Sequence, residues 1–448
     1  MSDSPKNVLT DSRIPNSLEL YEKAKKLIPK VTQLLSRHPH MHAFGVSPIY
    51  AERAKGCRFW DVDGHEHIDM TGGVGFISLG YCVDEIDDAA RQQMAKGVVY
   101  PVNSPLELDL AELLVEVIPS AQMVRYAKGG GEADCMAIRI ARGYTQKDKI
   151  AFCGYHGWHD WYLSANLEAA DALDTHVRPV PVRGVPKALE GTALPFNYND
   201  LDSLRSILDS NRGEVAAIIM EPCRTFTPEP GFLEGVRKLA DEHQAVLIFD
   251  EVVTGFRMAR GGAQEYFGVT PDITVLGKAV ANGYPLAAVV GKSEVMSTVD
   301  DMFVSSGNWS EAVSLAAGAA IQRFMSKYNF ADHVWKTGKY YQEGLRRVCS
   351  DVGLEINFHG YPPVFGFDFG VTESKPLGTL LRQEFAKRGV HGESFTYMMY
   401  ALKESDIDEV LAAFKEIAPI LKEAIENNSV AELLEVPVCE DVFRSRMV

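Results

Sequence analysis

The sequence has no cysteine pattern that would staple or metallate it. Its seven cysteines, at 57, 82, 135, 153, 223, 349 and 439, are odd in number and widely scattered, with no C-x-x-C pair. That excludes a disulfide framework and a cysteine zinc site and leaves reduced, mostly buried thiols. Positive charge is not in excess either: 45 Lys and Arg stand against 61 Asp and Glu, for a net charge of −16, and no basic cluster occurs. Nucleic acid and anionic membrane are therefore not expected as partners. No stretch of 18 or more uncharged apolar residues exists, and the opening M-S-D-S-P-K-N-V-L-T has no apolar signal core; a soluble cytoplasmic protein is expected. Repeats and low-complexity segments are absent as well. What remains is a 448-residue chain with 46% hydrophobic residues, enough for a large core and more than one domain.

In chain order, S-L-E-L-Y-E-K-A-K-K-L-I-P-K (17–30) has the spacing of one amphipathic helix ended at Pro29. The histidines at 38, 40 and 42 lie in a polar stretch without nearby Cys or acids, so no metal is expected there. C-R-F-W-D-V-D-G-H-E-H-I-D-M reads as a hairpin turning at Asp63-Gly64. Helical patterns occupy about 83–97 and 105–117. From Val124, short apolar runs (K-I-A-F-C, A-A-I-I-M, A-V-L-I-F, I-T-V-L) alternate with helical stretches, the texture of βα units around a mostly parallel sheet. After about Asn329 come a long helix (333–351), strands such as P-V-F-G-F-D-F, and a final helix (407–425). The expected organisation is α/β: an N-terminal segment (1–75), a large domain (76–330) and a C-terminal region (331–448), with the two ends forming a smaller α+β domain.

The stretch from Ala245 to Lys278 carries the chemistry. Asp250 follows one apolar run and Lys278 follows another. Residues ending parallel strands lie at the carboxyl edge of the sheet, where open α/β folds bind ligands. A lysine there can hold an aldehyde as a Schiff base, and an acid beside a pyridine nitrogen keeps that nitrogen protonated, which together point to pyridoxal phosphate. K-G-G-G-E-A (128–133) follows a strand and opens a helix, so backbone N–H groups there can face a phosphate. It is not G-x-G-x-x-G, and no acid stands at the dinucleotide spacing, which sets a nicotinamide site aside. In G-Y-H-G-W-H-D-W-Y (154–162), Tyr155 comes first after a strand and is the candidate for stacking on a planar cofactor.

The order Gly-rich turn, Y-H-G, I-I-M-E-P, L-I-F-D-E-V-V-T-G-F-R, P-D-I-T-V-L-G-K, then S-G-N resembles the class III, fold-type I aminotransferases, most of all the branch around glutamate-1-semialdehyde 2,1-aminomutase. The resemblance implies Lys278 as Schiff-base lysine and proton shuttle, Asp250 as partner of the pyridine nitrogen, Val252 under the ring and Tyr155 over it. It also implies that Gly130 and Gly131 offer N–H groups to the phosphate and that Glu221 lies on the substrate side. A homodimer with shared active sites follows from it, with an amine donor and a carbonyl acceptor as small-molecule partners. Three positions depart from the pattern. The threonine given across the interface is Val304 here, leaving Ser305 or Ser306 to supply a hydroxyl; the carboxylate-reading arginine is His42; and Glu393 lies where many ω-aminotransferases keep an arginine. An imidazole cannot replace a bidentate guanidinium, and an acid at 393 would favour an amine-bearing or hydroxylated substrate. The segment between Lys278 and S-G-N is also shorter than the aminomutase's gating loop. The expectation is therefore a two-substrate aminotransferase, with an aminomutase and a non-catalytic subunit of the same fold as alternatives.

Overall fold

The computed structural model describes residues 13–440 apart from 170, 175, 177–179 and 372–374. The described chain divides into two compact units, a smaller one of residues 13–75, 79–83 and 334–440 and a larger one of 76–78 and 84–333. No helix among the described residues is long and apolar enough to cross a membrane.

The smaller unit opens with helix Pro15–Leu27, which carries Pro15 in its first turn. Proline is suited there, because a first-turn nitrogen has no partner within the helix. The helix thus starts two residues earlier than the 17–30 expectation, and it ends short of Pro29 because the residue before a proline is driven to extended backbone: Ile28 has φ −125° and ψ 112°. Strands β1 (Ala51–Lys55), β2 (Arg58–Asp61) and β3 (Glu66–Asp69) pair antiparallel. The Asp63-Gly64 turn between β2 and β3 is held by Asp61, whose Oδ1 accepts the N–H groups of Asp63 and His65 at 3.0 and 2.8 Å.

The larger unit is built on seven strands, β4 (Met123–Ala127), β5 (Lys149–Cys153), β6 (Ala193–Pro195), β7 (Val215–Met220), β8 (Val246–Asp250), β9 (Ile273–Leu276) and β10 (Ala287–Gly291), ordered β4-β10-β9-β8-β7-β5-β6. The run from β9 to β6 is parallel; β10 is antiparallel to both neighbours. Alternate residues serve two cores. Ile150, Phe152, Ala217, Ile219, Val246, Ile248, Ile273 and Val275 face one, while Ala151, Cys153, Ile218, Met220, Leu247 and Phe249 face the other. Burial on both faces is why these strands are apolar without alternation. β4 runs with β9, since each opposes β10, so the ends of β4, β5, β7, β8 and β9 reach one edge of the sheet.

The smaller unit is completed by β11 (Asn357–Tyr361), β12 (Val364–Asp368) and β14 (Phe395–Tyr397), an antiparallel sheet, and by β13 (Val390–His391), which adds to β3 in parallel. Helix Glu404–Glu426 buries Ile407, Val410, Leu411, Phe414, Ile417 and Leu421 at helical spacing. Helix Phe330–Val352 brackets the expected 333–351 pattern.

Candidate active site

Asp250 is the last residue of β8 and is 4% exposed. A carboxylate so deeply buried needs donors, and it has two: Val252 N–H to Oδ1 at 3.0 Å and the ring Nδ1 of His156 at 2.8 Å from Oδ2. His156, fully buried, places its Nε2 3.2 Å from the Cys153 carbonyl at the end of β5. Sequence reading passed over His156 because its partner is 94 residues away; Y-H-G alone gave no sign of it.

Two residues past β9, Lys278 begins a 3-10 turn with φ 41°. That is left-handed backbone, uncommon outside glycine, and such strain gathers at functional positions. Its Nζ stands 5.9 Å from the centre of the Phe76 ring. The Val252 side chain packs into the space that glycines leave. A Cβ on Gly130 would meet Val252 Cγ2 at 2.9 Å, and one on Gly277 would meet Cγ1 at 3.2 Å. Val252 therefore ties the end of β8 both to the Gly-rich turn and to the residue before Lys278.

The Gly-rich turn follows β4 and starts the 16-residue helix Gly130–Thr145. First-turn N–H groups of a helix lack intrahelical partners and attract anions. Close approach explains the glycines: a Cβ on Gly131 would come 3.2 Å from the Gly157 Cα and 3.3 Å from His159 Nδ1, and that imidazole nitrogen is buried with no hydrogen-bond partner. Lys128 turns away to Glu311, 3.1 Å from it. The cradle fits a phosphate: first-turn N–H groups, an open side at Gly129 where a Cβ would meet nothing within 4 Å, and an orphaned ring nitrogen.

Tyr155 is half-buried, with its ring edge-on to Tyr162 at 6.0 Å. Its N–H donates to Glu221 Oε1 at 2.9 Å, and Glu221, 3% exposed, also lies 3.5 Å from the Arg224 guanidinium. Arg224 is a cation at this edge that the sequence reading did not single out. The turn behind Tyr155 is held by His176, whose Nδ1 accepts the Gly154 N–H at 3.2 Å. Burial, reinforced by the positive field of His156, pushes the His176 imidazole down to about 4. The folded chain then holds fewer protons than the unfolded one between that value and the ordinary 6.5, so stability present above pH 6.5 is lost as pH falls toward 4. The expected loss is about 2–3 kcal/mol. Denaturant unfolding at pH 7.5, 6 and 4.5 measures it, and His176→Asn should flatten the slope across that interval; an unchanged slope would contradict the assignment.

Ser305 and Ser306 are exposed on the loop before helix Ala312–Tyr328, beside Phe303, which is 84% exposed. His42 and Glu393 belong to the smaller unit. His42 Nε2 lies 3.2 Å from the Ser36 carbonyl, and its ring is tilted against His391. Burial first, then the field of His391, pushes this imidazole down to about 4. Glu393 is not a lone acid: Arg382 grips its Oε2 through Nε at 3.0 Å and through Nη2. Burial pulls the Glu393 carboxyl up, and the Arg382 guanidinium outweighs it and holds it below the ordinary range.

The family model for class III aminotransferases matches residues 41–417. The chain belongs to that family. A 3-aminobutyryl-CoA aminotransferase of Cloacimonas acidaminovorans is 36% identical over 90% of this chain and 97% of its own length. A glutamate-1-semialdehyde 2,1-aminomutase of Syntrophobacter fumaroxidans is 34% identical over 88% and 95%. Among solved structures, an omega-transaminase from Sphaerobacter thermophilus superposes with a TM-score of 0.81 at 26% identity, covering 91% of this chain and 98% of that one. The pyridoxal phosphate-bound FumI protein of Sphingopyxis sp. MTA144 does so with 0.84 at 25%, covering 94% and 98%. This class III aminotransferase has the fold-type I architecture and uses pyridoxal 5'-phosphate to move an amino group between an amine and a carbonyl compound.

Proposed function

We propose that Lys278 and Asp250, brought to one sheet edge from β9 and β8, are the working pair of this aminotransferase. Their shared edge is the observation that carries the reading. When bound, the cofactor supplies an electron sink for the carbon that bears the amino group. Asp250 holds the proton on the ring nitrogen. Lys278 removes the proton from the amine-bearing carbon and returns it on the other side of the exchange, as a general base and then acid. Gly130 and Gly131 would bind the phosphate through backbone N–H groups, and Val252 and Tyr155 would confine the ring, with Glu221 fixing the Tyr155 backbone.

The amine is transferred between two separate substrates in turn, and the donor lacks a free carboxylate where the family reads one. Support comes from the two positions that the resemblance assigns to that task. His42 is held neutral at ordinary pH, and Glu393 occupies Arg382 with its own charge. Neither offers an anion an open guanidinium. An acyl thioester fits this better than a free acid, in keeping with the CoA-linked substrate named for the Cloacimonas relative. The test is a donor screen that follows the loss of the cofactor's visible absorption. 3-Aminobutyryl-CoA should discharge it at least tenfold faster than free 3-aminobutyrate or glutamate. Equal rates would overturn the donor class, and conversion of glutamate 1-semialdehyde without a second substrate would establish an aminomutase instead.

A second copy of the chain covers the exposed apolar side chains of the larger unit, Val98, Val99, Val102 and Phe303, which are 46–84% exposed. In that homodimer Ser305 or Ser306 gives its hydroxyl to the partner's phosphate site. Phe303→Arg should shift sedimentation toward monomer; a wild-type chain that sediments as monomer would refute the arrangement.

A further inference from the structure

Behind the Asp250–His156 pair stands a second acid. Asp134 lies in the second turn of helix Gly130–Thr145, is 2% exposed, and has a buried Oδ1 with no hydrogen-bond partner. One ligand atom from each of Asp134, His156 and Asp250 falls within 4.8 Å of the others. Burial, then the negative charges of Asp250 and Glu221, push the Asp134 carboxyl well above the ordinary range. Beyond these, the titratable groups that face it are Cys135 on its own helix and Tyr155 after β5.

Counting protons gives this acid a purpose. The Cys153 carbonyl can only accept, so His156 Nε2 carries a proton; the 2.8 Å contact of Nδ1 with Asp250 requires another. An imidazolium beside a carboxylate satisfies both contacts and has no net charge. Asp250 must also serve a protonated ring nitrogen once the cofactor is seated, which makes two cations for one carboxylate among side chains that are each under 5% exposed. A net charge there is costly.

We propose that Asp134 is a charge-balancing positioning residue, which gives up its carboxyl proton when the cofactor is seated so that two acids face the His156 imidazolium and the protonated ring nitrogen. Before loading, the set is one imidazolium, one carboxylate and one neutral acid. Afterwards it is two cations and two carboxylates. The proton lost by Asp134 matches the one held at the ring nitrogen, and the net charge stays zero. This rests on the reading that Asp250 holds the ring nitrogen.

The test compares the binding of pyridoxal phosphate with that of its 1-deaza analogue, in which CH replaces the ring nitrogen. Asp134→Asn should weaken pyridoxal phosphate by about ten- to a hundredfold and leave the analogue within twofold. Adding His156→Asn should recover most of the loss, because one cation and one carboxylate then remain. Equal weakening of both cofactors, no weakening of either, or no recovery in the double variant overturns the proposal. Asp134→Ser gives the same comparison if the Asn variant does not fold. Asp250→Asn separates the two readings: if it fails to discriminate between the cofactors, the Asp250 reading has failed; if it discriminates while Asp134→Asn does not, only the Asp134 inference has.

Discussion

Lys278→Ala is expected to lower the rate of amine transfer by about 10³- to 10⁴-fold, the scale of losing a positioned general base, while leaving the fold intact. The fold should survive because alanine keeps the Cβ and the backbone, including the left-handed φ of 41°. Two further readouts accompany the rate. The cofactor's visible absorption should change in the variant, and small primary amines added to the buffer should recover part of the activity by acting as a diffusible base. A rate within tenfold of the parent, or no change in absorption, would remove Lys278 from the proposed chemistry. Lys278→Gly provides a contrasting control. Glycine adopts positive φ without strain, so this variant should lose the same activity yet unfold at equal or higher denaturant concentration than the alanine variant.

Glu251→Ala should instead act on stability, costing about 3–5 kcal/mol, with little loss of activity per folded molecule. Glu251 is 1% exposed and accepts four hydrogen bonds: from the Ala263 and Gln264 N–H groups, the Gln264 side-chain amide at 3.0 Å and the Thr254 hydroxyl at 3.1 Å. Burial raises its carboxyl and the four donors pull it back, leaving it above the ordinary value. Truncation strands all four donors in the interior. Glu251→Gln keeps the shape but turns an amide toward at least one of them, so a smaller loss is expected. Equilibrium denaturation, read beside activity normalised to folded protein, separates this from a catalytic effect; a stability change under 1 kcal/mol would contradict it.

The division of labour within D-E-V explains what could be read in advance. Strand ends β8 and β9 were legible because strands buried on both faces must be apolar throughout, so the polar residue ending each run stands out. The Gly-rich turn was legible because a strand preceded it and a helical pattern followed. Hidden in the sequence were meetings of polar groups: His156 with Asp250, Asp134 near both, and Arg382 with the half-buried Glu393. Nothing local records those meetings, which depend on how distant segments pack. The reversal of β10 was equally hidden, since A-A-V-V-G looks the same in either direction. Glu251 illustrates a subtler gap. It sits between two residues with a proposed site role, yet its side-chain bonds all go to Thr254, Ala263 and Gln264 further along the chain.

The contact between position 130 and Val252 has a further meaning for anyone redesigning this pocket. Each fills what the other leaves, and Gly277 draws on the same methyl groups. The three cannot be varied independently: a library that randomises 252 alone samples only side chains compatible with two bare backbones, and one that places any Cβ at 130 has already chosen a smaller residue at 252. Treated as a single unit of choice, the trio becomes a dial on how closely the Gly-rich turn, the end of β8 and the residue before Lys278 approach one another; treated one at a time, it will look intolerant to change.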